Sequence, residues 1–280
     1  MKPIQHSIIG LPGTGKTTFI AALWHLLTSN EISSKFVLND LIGDRTHLES
    51  IADTWRRCEE VPRTSMAAET KVSMYVKDTR TNEVAILHFP DFSGESFEQQ
   101  LLSRSCTSEY LEGFSGSGGI MLFVNANDSF DGLSIVDTYP LESSSKFEGE
   151  PDLHTEWEPN MVPRQVNLVE LLQFLMHPPF ERCLRRLVII ISAWDVIDTS
   201  NLEPIKWLEK ELPLLFQFVS TNKDSFVFRV YGVSAQGGDV NSDARKELAM
   251  KTPSTRINCI GPETNPHDLT SPIAWLMSSE

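Results

Sequence analysis

The sequence lacks the long apolar runs, the paired cysteines and the signal-peptide layout that mark membrane, disulfide-rich and secreted proteins. Its clearest apolar stretch, Leu187 to Ile191, has the length of a strand and falls far short of the roughly 18 residues that a membrane helix needs. The four cysteines are far apart and form no C-x-x-C pair, which is typical of reduced thiols. We therefore expect a cytoplasmic protein without an integral membrane segment.

Positive charge is also scarce, since the formal net charge of the 280 residues is −14. The electrostatic field of a protein with this net charge repels polyanions, so we expect no nucleic-acid partner. The chain is 40% hydrophobic and 22% charged, which is the composition of a globular protein long enough to bury a sizeable core. His6 and His88 stand alone beside strands and are expected to be core residues rather than metal ligands.

Apolar periodicity predicts alternating strands and helices. Two alternating runs, 71–77 and 83–89, predict an antiparallel hairpin, and near-continuous apolar runs predict buried parallel strands at 4–9, 120–124, 187–191 and 226–233. Helical patterns cover 16–28, 95–103, 165–176, 204–219 and 271–278. The alternation predicts an α/β fold of three layers, in which a mostly parallel sheet with one antiparallel edge strand has helices on both faces.

Three segments lack this alternation and are interpreted as insertions in one domain that spans residues 1–280. They are 31–63, with one amphipathic helix expected inside it, 127–163, which is acidic and rich in serine and proline, and 237–268, which is polar.

One segment fits the phosphate-loop pattern G-x-x-x-x-G-K-[ST] at every position: Gly10-Leu11-Pro12-Gly13-Thr14-Gly15-Lys16-Thr17. It follows a predicted strand and opens a predicted helix, as the motif requires. Backbone amides and the helix amino terminus would surround a polyphosphate, with Lys16 on the β- and γ-phosphates and the Thr17 hydroxyl on Mg²⁺. The residues expected at the nucleotide are Gly10, Gly13, Thr14, Gly15, Lys16, Thr17 and Thr18. These features identify a P-loop NTPase fold.

A strand that ends in Pro90-Asp91-Phe92-Ser93-Gly94 follows the hairpin. Here the chain resembles the P-loop GTPases of the Ras-like and translation-factor (TRAFAC) class, whose third motif is a strand followed by D-x-x-G. The resemblance implies that Asp91 holds magnesium through water and that the Gly94 amide senses the γ-phosphate.

Two later strand ends are similar to the guanine-reading motifs of that class. Ser192-Ala193-Trp194-Asp195 stands where the family has [NT]-K-x-D, and Ser234-Ala235-Gln236 resembles the S-A-K loop. The resemblance implies that Asp195 accepts hydrogen bonds from the guanine ring, and that Ser234 and Ala235 lie at the base. Both motifs lack the family's lysine, because Ala193 and Gln236 occupy those positions.

Switch I requires a threonine upstream of the hairpin that closes on magnesium. Thr64 is the first choice, with Ser65 and Thr70 as alternates, and Arg63 could neutralise charge on the transferred phosphoryl group or be a solvated arginine. The long insertions make the chain similar to bacterial double-GTPase-type proteins.

The resemblance implies a Mg²⁺-dependent switch that binds GTP or GDP, hydrolyses GTP and acts with a protein effector or companion subunit. GTP is expected rather than ATP. The alternatives are a P-loop ATPase or kinase, which would prefer ATP, and a scaffold that binds nucleotide without hydrolysis.

Glu95 follows D-x-x-G at the position where Ras-like enzymes have a water-orienting glutamine. Because its carboxylate can accept a proton but also repels the γ-phosphate, we predict that Glu95→Gln changes the turnover of GTP more than its affinity. Single-turnover hydrolysis and nucleotide titration measure the two quantities, and equal losses in both would count against a water-positioning role.

Overall fold

The computed structural model describes residues 3–62, 72–90, 95–116, 118–128, 162–197 and 202–278. Within these ranges the chain forms a sheet of eight strands in the order β2-β3-β4-β1-β5-β6-β7-β8. The strands are β1 (Ile4–Ile9), β2 (Phe36–Ile42), β3 (Val72–Asp78), β4 (Val84–Phe89), β5 (Ile120–Asn125), β6 (Arg185–Ser192), β7 (Phe226–Ser234) and β8 (Asn258–Ile260).

The central strands are parallel and the edge strands are antiparallel. β4, β1, β5, β6 and β7 run in one direction, whereas β3 pairs with β4, β2 with β3 and β8 with β7 in the antiparallel sense. The predicted fold class is therefore confirmed, with two strands more than the sequence patterns indicate. β2 covers the edge that β3 was expected to form, and β8 covers the opposite edge.

The helices surround this sheet. They are α1 (Lys16–Ser29), α2 (Arg45–Arg56), α3 (Glu95–Ser103), α4 (Ser108–Gly113), α5 (Arg164–Phe174), α6 (Pro204–Glu211), α7 (Pro213–Thr221), α8 (Ala244–Met250), α9 (Pro253–Arg256) and α10 (Ser271–Met277). The single helix predicted over 204–219 is two helices, because Leu212 leaves the helical conformation before Pro213 begins α7. None of the helices in the described part of the chain is long and apolar enough to cross a bilayer.

The two faces of the sheet bury separate apolar cores. In β5, Met121 and Phe123 face the core that includes α1, α2 and α10, while Leu122 and Val124 face the core that includes α3 and α5 to α7. This alternation is the expected consequence of the two-residue period of a strand. Because both faces are covered, the central strands are apolar on both sides and read as continuous apolar runs in the sequence.

The segment 31–63, interpreted from the sequence as an insertion, contributes β2 and α2 within its described part, 31–62. The expected amphipathic helix is α2, where Asp44 caps the amino terminus by accepting a hydrogen bond from the amide of His47 at 3.1 Å, and Leu48, Ile51 and Trp55 are buried. β2 was not predicted, because Asn39 and Asp40 interrupt its apolar pattern and a register shift lies between Leu38 and Asp40. A bulge of this kind breaks the alternation that marks a strand.

The strand order reverses at β1, which lies between β4 and β5. In open α/β sheets the carboxyl ends of the strands at such a point form a crevice in which ligands bind. The loops that follow β1, β5, β6 and β7 meet at this edge, so the fold brings the sequence motifs at these strand ends together.

His6 lies in the centre of the sheet as a neutral imidazole. Its side chain is 1% exposed, and its Nδ1 accepts a hydrogen bond from the Gly119 amide at 3.0 Å. Burial, assisted by the positive charge of Arg186, lowers the pKa of His6 from 6.5 to about 4. Protonation would place a proton on Nδ1, the nitrogen that accepts the hydrogen bond from the Gly119 amide. This hydrogen bond would therefore be lost at acidic pH.

We predict that acid destabilises the protein through His6. Since the unfolded chain protonates near pH 6.5 and the folded chain only near pH 4, the stability due to neutral His6 is complete above pH 6.5 and is lost as the pH falls toward 4. Between pH 7 and pH 5 the loss in free energy of unfolding is about 2 kcal/mol. In His6→Gln, whose amide oxygen can accept the same hydrogen bond, that part of the pH dependence disappears; urea unfolding that gives the same slope for both proteins would contradict this.

Candidate functional site

The loop between β1 and α1, residues 10–15, is called the phosphate loop here. Gly15 has φ 82° and is the N-cap of α1. A Cβ atom at Gly15 would stand 2.9 Å from both Cβ and Oγ of Ser192, and a Cβ at Gly10 would stand 2.9 Å from the carbonyl oxygen of Phe123. The loop therefore lies too close to the ends of β5 and β6 for a side chain at either glycine.

The side chain of Lys16 turns back into the loop. Its Nζ donates hydrogen bonds to the carbonyl oxygens of Gly10 at 2.6 Å and Leu11 at 2.9 Å, and the residue is 2% exposed. The ring of Phe97, in α3, has its centroid 6.0 Å from this ammonium group. The loop thus encloses a positive charge, with the beginning of α3 beside it.

Side chains other than Lys16 also donate hydrogen bonds to carbonyl groups of the phosphate loop, at Leu11, Pro12, Gly13 and Thr14. Thr14 Oγ1 donates to Leu11 at 2.8 Å, Asn125 Nδ2 to Gly13 at 2.9 Å, and Ser192 Oγ to Thr14 at 2.9 Å. The guanidinium of Arg164 donates to the Pro12 carbonyl at 3.1 Å.

These contacts fix the direction of the backbone amides. A trans peptide unit directs its C=O and N–H to opposite sides. Because the carbonyls of Pro12, Gly13 and Thr14 face their partners, the amides of Gly13, Thr14 and Gly15 face the other way. These residues line a cavity, and a concave surface of amides at a helix amino terminus is suited to an anion.

The cavity has a volume of about 560 Å³, which is within the usual range for small-molecule sites. Its walls are formed by residues 12–15 of the phosphate loop, by the first turn of α1 with Thr17 and Thr18, and by the loops that follow β5, β6 and β7. Gly10, which was expected at the nucleotide, is not among the lining residues. The structure therefore brings Lys16, Asp195 and Ala235 to one continuous cavity. Ser234 is not among the lining residues; its hydroxyl accepts a hydrogen bond from the Gly237 amide at 3.0 Å and shapes the loop from behind.

Asp195 lies on the cavity wall because the preceding residue, Trp194, is buried in the core. Ala193 has φ 54°, and Trp194 begins a 3₁₀ turn that ends at Val196. Trp194 is 1% exposed and packs so closely on β7 that a Cβ at Gly232 would lie 2.3 Å from its ring. The buried indole and the left-handed residue before it leave Asp195 exposed at the end of β6.

The segment that follows α2, residues 59–62 and here called the tail of α2, also reaches the cavity. Glu59 to Pro62 form part of its wall, together with Asp239 to Asn241 from the loop after β7. Glu59 forms an ion pair with Arg245 at 3.3 Å. Glu59, Glu60, Asp195 and Asp239 line the same cavity as Lys16, so four acidic residues contribute to its wall.

Several predicted site residues lie outside the described residues: Arg63, Thr64, Asp91 and Gly94, with the alternates Ser65 and Thr70. Of Glu95, the structure places the backbone as the first residue of α3. Among the residues that are described, no group of three or more histidine, cysteine or acidic side chains is arranged to hold a metal. The hydroxyl of Thr17, on the cavity wall, is a hard oxygen ligand of the kind that magnesium prefers.

Sequence reasoning did not single out Asn125 or Arg164, nor the role of Ser192 in holding the phosphate loop. Asn125 and Ser192 could have been found, since both end strands at the edge of the sheet where the motifs meet. Arg164 and the tail of α2 gave no such signal, because their approach to the site depends on how distant segments pack.

A protein-family model described as Double-GTPase 1 matches residues 7–276 of the chain. Among solved structures, the chain is similar to the G domain of the T. maritima FeoB iron transporter, with 11% identity and a TM-score of 0.32 over 88% of this chain and 96% of that one. The cytosolic domain of the same transporter in its GMPPNP form gives 11% identity and a TM-score of 0.32, with 89% of this chain and 65% of that chain covered. A search of curated proteins finds no match.

We predict that Gly15→Ala weakens the binding of polyphosphate ligands, because the added methyl group collides with Ser192 and disfavours the left-handed backbone by roughly 1–2 kcal/mol. Gly116→Ala is the matched control, since Gly116 has φ 76° with open space around its Cβ position. Titration with a fluorescent nucleotide should show wild-type affinity for Gly116→Ala and at least a tenfold loss for Gly15→Ala. Equal affinities in the two variants would contradict the close fit of the loop.

Proposed function

The chain belongs to the Double-GTPase 1 family, and from this premise we propose that it is a magnesium-dependent switch that binds and hydrolyses GTP and acts with a protein partner. The observation on which the proposal rests is the single cavity that joins the phosphate loop to Asp195 and Ala235. This arrangement suits a ligand with a polyphosphate at one end and a base at the other.

The phosphate end is supported by Lys16 and by the amides of Gly13 to Gly15. The acidic residues that line the cavity add repulsion toward a polyphosphate, so we infer that a divalent cation is needed to neutralise the ligand. Thr17 would hold Mg²⁺ together with the predicted ligands Thr64 and Asp91. The ion would supply charge neutralisation of the phosphates.

The base end is supported by the carboxylate of Asp195. Guanine offers a ring N–H and an exocyclic amine as neighbouring donors, and a carboxylate can accept both. Adenine lacks this pair of donors and would leave the carboxylate without partners, which costs free energy in a desolvated site.

The switch is supported by the position of α3. Phe97, in α3, has its ring centroid 6.0 Å from the ammonium group of Lys16, and the predicted residues Asp91 and Gly94 directly precede α3 in the sequence. We propose that bound GTP orders this segment and the one around Thr64, that hydrolysis releases them, and that a partner reads the difference. Arg63 and Glu95 keep their proposed roles in charge neutralisation and water positioning.

Measurements of nucleotide preference and turnover would distinguish two other functions. An ATPase or kinase would prefer ATP, and a scaffold would bind nucleotide tightly without turning it over. The organisation as one domain, residues 1–280 with three insertions, and a cytoplasmic location are likewise part of the proposal.

We predict that the wild type binds mant-GDP at least tenfold more tightly than mant-ADP in the presence of magnesium, and that Asp195→Asn reverses the preference toward xanthosine diphosphate. The amide of asparagine offers one acceptor and one donor, which match the N–H and the carbonyl of xanthine. Competition titrations with the three diphosphates measure this.

Asp239→Asn is the matched control, because Asp239 lines the same cavity without an assigned contact to the base, and it should keep the preference for GDP. A clear preference of the wild type for ADP would contradict the guanine assignment and favour the ATPase alternative.

A further inference from the structure

The side chain of Trp55 connects α2 with the loop after β7. Trp55 is fully buried, and its Nε1 donates a hydrogen bond to the carbonyl oxygen of Ala235 at 3.0 Å. In return, the side-chain amide of Gln236 donates to the carbonyl oxygen of Trp55 at 3.2 Å. Two hydrogen bonds thus join elements that are 180 residues apart in the sequence.

The indole of Trp55 is itself held in place by neighbours on two sides. The guanidinium of Arg256 lies 4.7 Å from the ring centroid and donates to the Trp55 carbonyl at 3.3 Å. The ring of His25, in α1, lies 5.2 Å from the indole on a tilted plane. A buried tryptophan with a cation on its face and a hydrogen bond at its nitrogen has little freedom to move.

This contact fixes the peptide unit between Ala235 and Gln236. Because the Ala235 carbonyl faces α2, the N–H of the same planar unit faces the opposite direction, and both residues line the cavity. The turn that follows is equally confined, since a Cβ at Gly237 would stand 2.4 Å from the carbonyl oxygen of Arg256. The loop after β7 therefore takes its shape from α2 and α9.

We propose that Trp55 is a positioning residue for base recognition, which sets the backbone of residues 235–236 against the edge of the base. This inference rests on the proposed function and extends it to a residue that does not line the cavity. It also explains a departure from the S-A-K pattern of the Ras-like class, because Gln236 stands in the place of the lysine and its side-chain amide holds the loop against α2.

The test compares ligands that do and do not carry a base. Trp55→Phe replaces the indole with the smaller phenyl ring and removes the N–H donor. We expect the affinity for GDP to fall about five- to tenfold, the effect of one lost hydrogen bond, while the affinity for magnesium tripolyphosphate stays within twofold of the wild type. The preference for GDP over ADP is therefore smaller in this variant than in the wild type. A purely structural role of Trp55 would weaken both kinds of ligand alike.

Two further variants keep the test decisive. Gln236→Ala removes the second hydrogen bond and should give the same selective loss even if Trp55→Phe is too unstable to purify. Trp24→Phe is the control for lost volume, because Trp24 is buried in the same layer, and it should leave both affinities unchanged.

Wild-type GDP-to-ADP ratios in both Trp55→Phe and Gln236→Ala, or an equal loss of tripolyphosphate binding, would overturn the role of Trp55 and leave the proposed function intact. A wild-type protein that binds tripolyphosphate with no preference among bases would instead overturn the guanine assignment, and this inference with it.

Discussion

The hydrogen bond from the Ser192 hydroxyl to the Thr14 carbonyl ties the phosphate loop to the middle of the sheet, and the rest of the site depends on this attachment. Together with Asn125 and Arg164, it turns the loop carbonyls outward and so directs the amides of Gly13 to Gly15 into the cavity. The close approach requires glycine at position 15 and a small side chain at position 192. The same serine ends β6, so the strand that holds the phosphate loop also leads to Asp195.

The part of the cavity around Asp195 and Ala235, where we propose that the base binds, is held in place by different contacts. Trp194 is buried against Gly232 and leaves Asp195 exposed, whereas the loop after β7 is held by Trp55, Gln236 and Arg256. Ala193 and Gln236 stand where the Ras-like class has the lysines of its [NT]-K-x-D and S-A-K motifs, and the loop that contains Gln236 is packed against α2. A segment that appears in the sequence as an insertion therefore has a structural role at the site.

The sequence patterns predict the central sheet well, because strands that are buried on both faces leave uninterrupted apolar runs and the phosphate-loop motif has a strict spacing. They predict the edges poorly. β2 alternates irregularly around Asn39 and Asp40, β8 has three residues, and neither buries enough apolar surface to leave a signal. The contact between Trp55 and Ala235 was beyond sequence reasoning, since its two partners are distant and neither belongs to a motif that requires the other.

The most direct test of the account is calorimetric titration of the purified chain with GTP, with and without Mg²⁺, alongside the Lys16→Ala variant. The account predicts saturable binding at one site that weakens when magnesium is removed and is lost in Lys16→Ala, because the ammonium group and the amides act on the same polyphosphate. Absence of magnesium-dependent binding of any ribonucleotide by the wild type, or unchanged binding by Lys16→Ala, would contradict it.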